Sequence, residues 1–271
     1  MTDEDFDYIR KIVRDRSAIA LEDGKQYLVD SRLAPLVRKM NLNSIADLVA
    51  LLRAPFSDEL EQQVVEAMVT TETTFFRDLN PFEALRKEVI PVLIEKRRIE
   101  RSLNIWCAAC STGQEPYSLA LMIREHFPQL AGWNLKILAT DLSREVLARA
   151  REGRYSQIEV NRGLPAALLV KHFRQHGNSW QLHDDVRSMV EFKELNLVRA
   201  WPLLPRMDLV FLRNVMIYFD VETKKGILSR MASVLRADGY LLLGGAETTF
   251  NLNGSYQRIE QFKAGFYQLI A

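Results

Sequence analysis

The chain has 271 residues, enough for one large domain or for two domains of unequal size. Hydrophobic residues make up 48% of it, a fraction that supports a sizeable core and argues against an intrinsically disordered protein. Its 36 basic and 35 acidic residues give a net charge of +1, whereas a general nucleic-acid binder needs a marked basic excess.

The N-terminus and the cysteines favour a cytoplasmic protein. The first residues are acidic where a secretory signal would be basic and then apolar, and no run approaches the roughly 20 apolar residues that span a bilayer. Two cysteines, Cys107 and Cys110, are too few for a disulfide framework. Their spacing also occurs in redox pairs, but alanines fill the gap, and we interpret them as small apolar fillers.

Segment 3–70 contains only helical patterns. Asp3 or Asp5 stands where it can cap the first helix, and Ser44 precedes a later one. The hydrophobic residues recur at helical spacing, beginning with Phe6, Ile9 and Val13. The sequence therefore predicts a small all-helical domain over residues 1–70. Residues 71–77 are rich in β-branched side chains without helical periodicity, and we interpret them as a linker.

From residue 100 onward, short apolar segments alternate with helical patterns. Strands are predicted at 103–108, 135–140, 207–212 and 240–243, and helices at 115–127, 144–151 and 221–236. This alternation predicts an α/β domain over residues 78–271, with a parallel sheet covered by helices on both faces. Residues 262–270 alternate as an edge strand that closes the sheet.

Residues 154–192 interrupt this alternation. Glycine, proline and asparagine punctuate the segment, and two candidate strands, 179–182 and 188–192, flank a polar turn. A small antiparallel insertion within the α/β domain is the predicted structure.

The first strand leads into a turn of small residues that opens directly into a helix. Gly113 is the only glycine there, so the dinucleotide fingerprint G-x-G-x-x-G is absent, and an NAD-dependent dehydrogenase is disfavoured. The turn suits a ligand without phosphates and with a cationic centre, for which Glu115 offers a carboxylate. The alternative is that Glu115 only complements the helix dipole.

Polar side chains also follow two other predicted strands. An acid at the place of Asp141 typically accepts hydrogen bonds from ribose hydroxyls, although it can instead cap the next helix, a role also open to Ser143. Arg213 and Asn214 follow a buried strand, at the edge where such sheets bind ligands. Tyr218 follows four residues later, either over a reacting centre or as a packing aromatic.

Five segments together point to one family: Thr71-Glu-Thr-Thr-Phe-Phe-Arg77, Ala109-Cys-Ser-Thr-Gly-Gln-Glu-Pro-Tyr-Ser118, Ala139-Thr-Asp-Leu-Ser143, Asn196-Leu197 and Arg213-Asn-Val-Met-Ile-Tyr-Phe219. They resemble the CheR-type protein-glutamate O-methyltransferases of bacterial chemotaxis, over nearly the whole chain. The resemblance implies an all-helical N-terminal domain, a linker (71–77) that contributes to the active site, and a Rossmann-like S-adenosylmethionine-dependent methyltransferase domain carrying a β-subdomain insertion at about 154–192.

The resemblance also implies roles for individual residues. The catalytic residues would be Arg77 and Tyr218, nearest the transferred methyl group. The cofactor S-adenosyl-L-methionine, with S-adenosyl-L-homocysteine as product and no metal, would bind to Thr71, Thr73, Arg77, Glu115, Asp141, Asn196, Leu197, Arg213 and Asn214. Many members have Asn where this chain has Thr71, so that contact is less secure than the contact of Thr73.

The expected partner is the cytoplasmic helical domain of a methyl-accepting chemotaxis receptor, whose glutamates are esterified. Lys25, Arg32 and Lys39 recur every seven residues and would form one basic stripe, unless Pro35 interrupts the helix or the charges form only a solvated face. By resemblance, the receptor-binding residues are Arg32, Arg38 and Lys39.

We expect a monomer that binds no nucleic acid, and a receptor that needs no C-terminal tethering peptide. The alternatives are a small-molecule O-methyltransferase and a module that binds S-adenosylmethionine without transferring its methyl group.

Overall fold

The computed structural model describes residues 1–270. Its contacts divide the chain into two compact units. The helical unit comprises Met1–Thr70 and Tyr218–Lys224, and the sheet unit comprises the other described residues.

The helical unit contains four helices: α1 Asp3–Ser17, α2 Gln26–Lys39, α3 Ile45–Leu52 and α4 Asp58–Met68. Apolar faces at helical spacing pack together, and their most buried members are Ile9, Val13, Val29, Leu33, Leu48, Val64 and Val65. Ser44 caps α3 as predicted. The cap of α1 is Thr2 rather than Asp3 or Asp5, and Asp5 completes a capping box with it. Helix α2 continues through Pro35 without a break.

The strands are, in chain order, β1 Ser102–Ala108, β2 Asn134–Asp141, β3 Arg154–Ser156, β4 Phe173–His176, β5 Ser179–Leu182, β6 Val190–Glu194, β7 Met207–Leu212, β8 Leu235–Leu243, β9 Tyr256–Arg258 and β10 Gly265–Leu269. The main sheet has the order β6-β2-β1-β7-β8-β10-β9. Its first five strands are parallel, and β10 and β9 are antiparallel additions.

The remaining helices belong to the part of the chain after residue 78: α5 Leu79–Ala84, α6 Ile90–Lys96, α7 Gln114–His126, α8 Arg144–Glu152, α9 Gln157–Asn161, α10 Ala166–His172, α11 Asp184–Arg187 and α12 Val221–Val234. A π-helical turn, Leu85–Val89, joins α5 to α6, and Met216–Tyr218 forms a 3-10 turn. Every residue of β7 is buried, as expected for a central parallel strand. The predicted α/β fold with a parallel sheet is thus confirmed.

Strand order reverses between β1 and β7, and this reversal locates the site. The chain runs outward from β1 through β2 to β6, then returns to place β7 beside β1 and β8 beyond it. Parallel sheets of this kind bind ligands at the carboxyl ends of the strands, where the order reverses.

Two strand predictions need correction. Residues 188–192 are not part of the small sheet, which has the order β3-β5-β4; instead β6 pairs parallel with β2 at the edge of the main sheet. An edge strand with one covered face alternates buried and exposed residues, as a hairpin strand does, so the pattern cannot separate the two. The strand predicted at 262–270 is β10, and β9 lies outside it at the edge.

Candidate active site

The turn after β1 is built from left-handed backbone. Ala109, Ser111 and Gly113 have φ angles of 57°, 50° and 91°. A Cβ atom at Gly113 would lie 3.0 Å from the Cβ of Ala150 in a backbone with a φ of 91°, so glycine is strongly favoured where α7 begins. The hydroxyl of Tyr155 donates a 2.8 Å hydrogen bond to the carbonyl of Thr112 and so holds the turn in place.

Asp141, at the end of β2, braces this turn. Its buried carboxylate accepts hydrogen bonds from the main-chain N–H groups of Ser111, at 2.8 Å, and Ser143, at 3.1 Å. The hydroxyl of Ser143 accepts from Val146 and caps α8, so capping does not require Asp141. These two bonds fix the carboxylate of Asp141 at the carboxyl end of β2.

A buried ion pair joins β7 to α7. Nη1 of Arg213 lies 2.7 Å from a carboxylate oxygen of Glu115, and the two side chains are 1% and 12% exposed. Nη2 of Arg213 donates to the carbonyl of Arg77 at 3.0 Å and to Asp78 at 2.9 Å. Burial raises the pKa of Glu115, and Arg213 opposes that rise. Within residues 1–270, Nε of Arg213 is buried without a hydrogen-bond partner.

Segment 71–77 is attached along this edge of the sheet unit. The hydroxyl of Ser111 donates to the carbonyl of Thr71 at 2.6 Å, and the N–H of Phe76 donates to the hydroxyl of Ser118 at 2.9 Å. The ring of Phe75 is fully buried, with its centroid 5.0 Å from that of Tyr155. These contacts hold a segment without regular secondary structure in one conformation.

Within the segment, the polar candidates are less buried. The guanidinium of Arg77 donates to the carbonyl of Glu72 at 3.3 Å and is half-buried, and Thr73 is half-buried as well. The side chain of Glu72 is held in turn by Arg162 at 2.7 Å. The carbonyl of Arg77 thus accepts a hydrogen bond from Arg213, the cation of the buried ion pair. Its guanidinium has five N–H donors and uses one of them on Glu72, so it keeps donors for a ligand.

Asn196 and Leu197 follow β6 and are held by hydrogen bonds with residues near them and with Arg230. The side-chain oxygen of Asn196 accepts from the N–H of Val198 at 2.9 Å. The carbonyl of Leu197 accepts from Nη2 of Arg230, at 2.7 Å, and from the indole of Trp201, at 3.2 Å. Arg230 also stacks over the Trp201 ring at 5.0 Å.

One functional candidate was not predicted. Glu247, after β8, accepts four main-chain hydrogen bonds, three of them from the residues that follow Arg213. A local signal existed, because an acid closes the glycine-rich segment Gly244-Gly-Ala-Glu247 after a buried strand.

Tyr218 and the receptor-binding candidates belong to the helical unit. The carbonyl of Tyr218 accepts from the N–H of Ala20 at 3.4 Å, so Tyr218 and Arg77 lie in different units. The guanidinium of Arg32 donates to the carbonyl of Met68 and, at 2.9 Å, to the hydroxyl of Thr70. Arg38 and Lys39 are exposed in the last turn of α2.

Both cysteines are buried, and burial raises the pKa of each thiol well above its ordinary value. A thiol that stays protonated is a poor nucleophile, which fits the interpretation of both cysteines as small apolar fillers.

The donor set at the carboxyl edge fits S-adenosylmethionine. Asp141 and Glu115 offer carboxylates for ribose hydroxyls and for a cationic centre, and Arg213 holds a buried N–H without a partner. No cluster of phosphate-binding glycines is present. A doubly wound sheet with this edge defines an S-adenosylmethionine-dependent methyltransferase.

The comparisons agree and are more specific. Residues 71–264 match "CheR methyltransferase, SAM binding domain", and residues 4–69 match "CheR methyltransferase, all-alpha domain". The chain belongs to the CheR methyltransferase family, as the sequence motifs predicted.

Relatives match the chain over nearly its full length. It is 39% identical to Chemotaxis protein methyltransferase Cher2 of Pseudomonas putida, over 97% of both chains. It is 41% identical to Chemotaxis protein methyltransferase 1 of Pseudomonas aeruginosa, over 94% of both. With Chemotaxis protein methyltransferase of Vibrio parahaemolyticus it shares 36% identity, over 99% of this chain and 98% of the relative. Within residues 1–270, no helix has the length and apolar character to cross a membrane.

Proposed function

We propose that the protein transfers the methyl group of S-adenosylmethionine to glutamate side chains of chemotaxis receptors, forming methyl esters. The observation that carries the proposal is the hydrogen bond from Arg213 to the carbonyl of Arg77 at 3.0 Å. It joins segment 71–77 to the carboxyl edge at the point where strand order reverses. The positive charge of Arg77 also lowers the pKa of Glu115, so the linker adds a second cation near this edge, which suits recognition of an acidic side chain.

The cofactor-binding roles follow the chemistry of each side chain. Asp141 would accept hydrogen bonds from ribose hydroxyls, and Glu115 would offer its carboxylate to the cationic centre. Asn196, Leu197, Arg213 and Asn214 would line the pocket. Thr71 and Thr73 complete the set from the linker. When bound, S-adenosylmethionine supplies a methyl group activated by a positively charged sulfur.

The chain's own task is alignment rather than proton transfer. A free glutamate carboxyl has a pKa of about 4.3, so the acceptor is already ionised at neutral pH and needs no general base. Arg77 holds the acceptor carboxylate through its planar fork, and Tyr218 positions the acceptor. Holding two reactants in line is worth several kcal/mol of barrier, which is the contribution we assign to these two residues.

Docking is the task of the basic end of α2. Arg38 and Lys39 are exposed and occupy the last turn of the helix, so their charges face a partner directly. Arg32 is engaged by Met68 and Thr70, so its part in docking is to fix α2 against the residues that precede the linker. The receptor's cytoplasmic domain is the proposed partner, which implies a cytoplasmic enzyme.

The decisive experiment incubates the protein with tritiated S-adenosylmethionine and membranes that contain a chemoreceptor. Methyl esters of carboxylates are labile to base, so the expected label is released as methanol after mild alkali. Matched membranes with receptor glutamates replaced by glutamine are the control. Base-stable label, or equal label in both membranes, would refute ester formation on glutamate. Label on small molecules alone would favour a small-molecule O-methyltransferase.

A further inference from the structure

A carboxylate outside the sequence motifs holds the turn after β7. Glu247 is buried, with 9% of its surface exposed. One carboxylate oxygen accepts the N–H groups of Asn214 and Gly244, both at 2.8 Å. The other accepts those of Val215, at 2.9 Å, and Met216, at 2.8 Å. Four N–H donors fill the lone-pair directions of a carboxylate, so Glu247 has no capacity left for a ligand.

The geometry points to Glu247 as a positioning residue for cofactor binding, an inference that rests on the cofactor role proposed for Asn214. Asn214 has a φ of 57°, a left-handed conformation that is uncommon for residues other than glycine, although asparagine adopts it more readily than most. Three successive N–H groups that converge on one carboxylate keep the turn in this shape. Glu247 therefore presents Asn214 to the cofactor without contacting the cofactor itself.

The space around Gly244 shows how closely the clamp is packed. A Cβ atom there would lie 2.7 Å from the Glu247 carboxylate and 2.9 Å from the main-chain nitrogen of Asn214. Contacts this short require the carboxylate or the turn to move. The φ of Gly244 is not left-handed, so its only constraint is the space that Glu247 and Asn214 leave.

The test compares Glu247→Gln with a matched control at the other end of β7. A glutamine amide accepts at one atom only, so two of the four N–H groups would face an NH2 group. In Asp208→Asn a fully buried carboxylate is also neutralised; Asp208 accepts from the N–H of Asn104 at 2.8 Å and pairs with Arg97 at 2.6 Å. Both variants lose a buried ionic acceptor, but only the first disturbs the proposed cofactor-binding edge.

Two readouts are expected to separate the variants. In calorimetry with S-adenosylhomocysteine, Glu247→Gln should raise the Kd about tenfold or more, because leaving buried N–H groups unpaired disfavours the bound turn. Hydrogen exchange should show lost protection at the four clamped amides. Asp208→Asn should keep the wild-type Kd and lose protection near Asn104 instead. Gly244→Ala should reproduce the Glu247→Gln result, and it replaces that variant if the latter does not fold.

A wild-type Kd in both Glu247→Gln and Gly244→Ala would overturn the inference, as would an equal rise in Asp208→Asn. The proposed function is judged separately. Wild-type protein that binds S-adenosylhomocysteine but labels no receptor would refute glutamate methylation. The Kd comparison for Glu247→Gln could still be made, because it needs no receptor.

Discussion

Removing Arg213 should leave Glu115 as a buried charge without its counter-ion. The change is Arg213→Met, which keeps much of the side-chain volume. The contact with Asp78 is about half exposed and contributes at most about 1 kcal/mol. The loss of the partner of Glu115, which is 12% exposed, should lower the free energy of unfolding by about 3–5 kcal/mol.

A double-mutant cycle isolates this charge effect. Glu115→Gln removes the stranded charge, so Arg213→Met combined with Glu115→Gln should be less destabilised than the sum of the single variants, by about 2 kcal/mol or more. The measurement is urea unfolding of the four proteins without cofactor, followed by circular dichroism. Additive free energies would refute the reasoning.

The same variant carries a pH signature with a definite sign. Burial already raises the pKa of Glu115, and loss of Arg213 raises it further. A carboxyl group with a raised pKa binds more protons in the folded than in the unfolded state, so its effect is to lower stability as pH rises through that window. The deficit of Arg213→Met relative to wild type should therefore shrink between pH 7 and pH 5. An unchanged deficit would mean that Glu115 is not the group left unpaired.

The other predictions concern the linker, its anchor and the docking helix. Arg77→Ala should cut the rate of methyl transfer about tenfold or more with an unchanged circular dichroism spectrum, and Arg77→Lys should restore only part of it, because lysine lacks the fork. In Gly163→Ala the new Cβ would collide with the Phe75 carbonyl at a left-handed φ, so calorimetry should show a lower melting temperature than for Gly177→Ala, which has a left-handed φ but open space. Arg38→Glu should raise KM for the receptor, with the gap to wild type narrowing in high salt, and should leave cofactor Kd unchanged.

Local patterns predicted the parts of the fold that depend on local physics. The cap at Ser143, the buried run of β7 and the lone Gly113 each follow from a few neighbouring residues. The place of β6 could not be predicted in this way. Val190 and Phe192 alternate with polar residues, and this pattern would be the same in a strand of the small sheet and in an edge strand of the main sheet.

The glycine-rich segment before Glu247 marks it as a candidate, but the sequence does not reveal which groups its carboxylate binds. Its partners Asn214, Val215 and Met216 stand more than 30 residues away along the chain, and they donate through their main chains. Main-chain donors carry no side-chain signature, so only the meeting of β7 and β8 in the sheet reveals the contact.

The charges at the carboxyl edge disfavour a pyrophosphate cofactor, as the missing glycines also do. Asp141, Glu115 and Glu247 are three buried or nearly buried carboxylates at this edge, and the buried Arg213 pairs with Glu115. Burial is the largest influence on the pKa of Glu115 and raises it, Arg213 and then Arg77 lower it, and Glu247 raises it least. A pyrophosphate would add two more negative charges to this edge, whereas a sulfonium with its amino group brings positive charge. We therefore expect these carboxylates to favour a nucleoside that carries positive charge over one that carries a pyrophosphate.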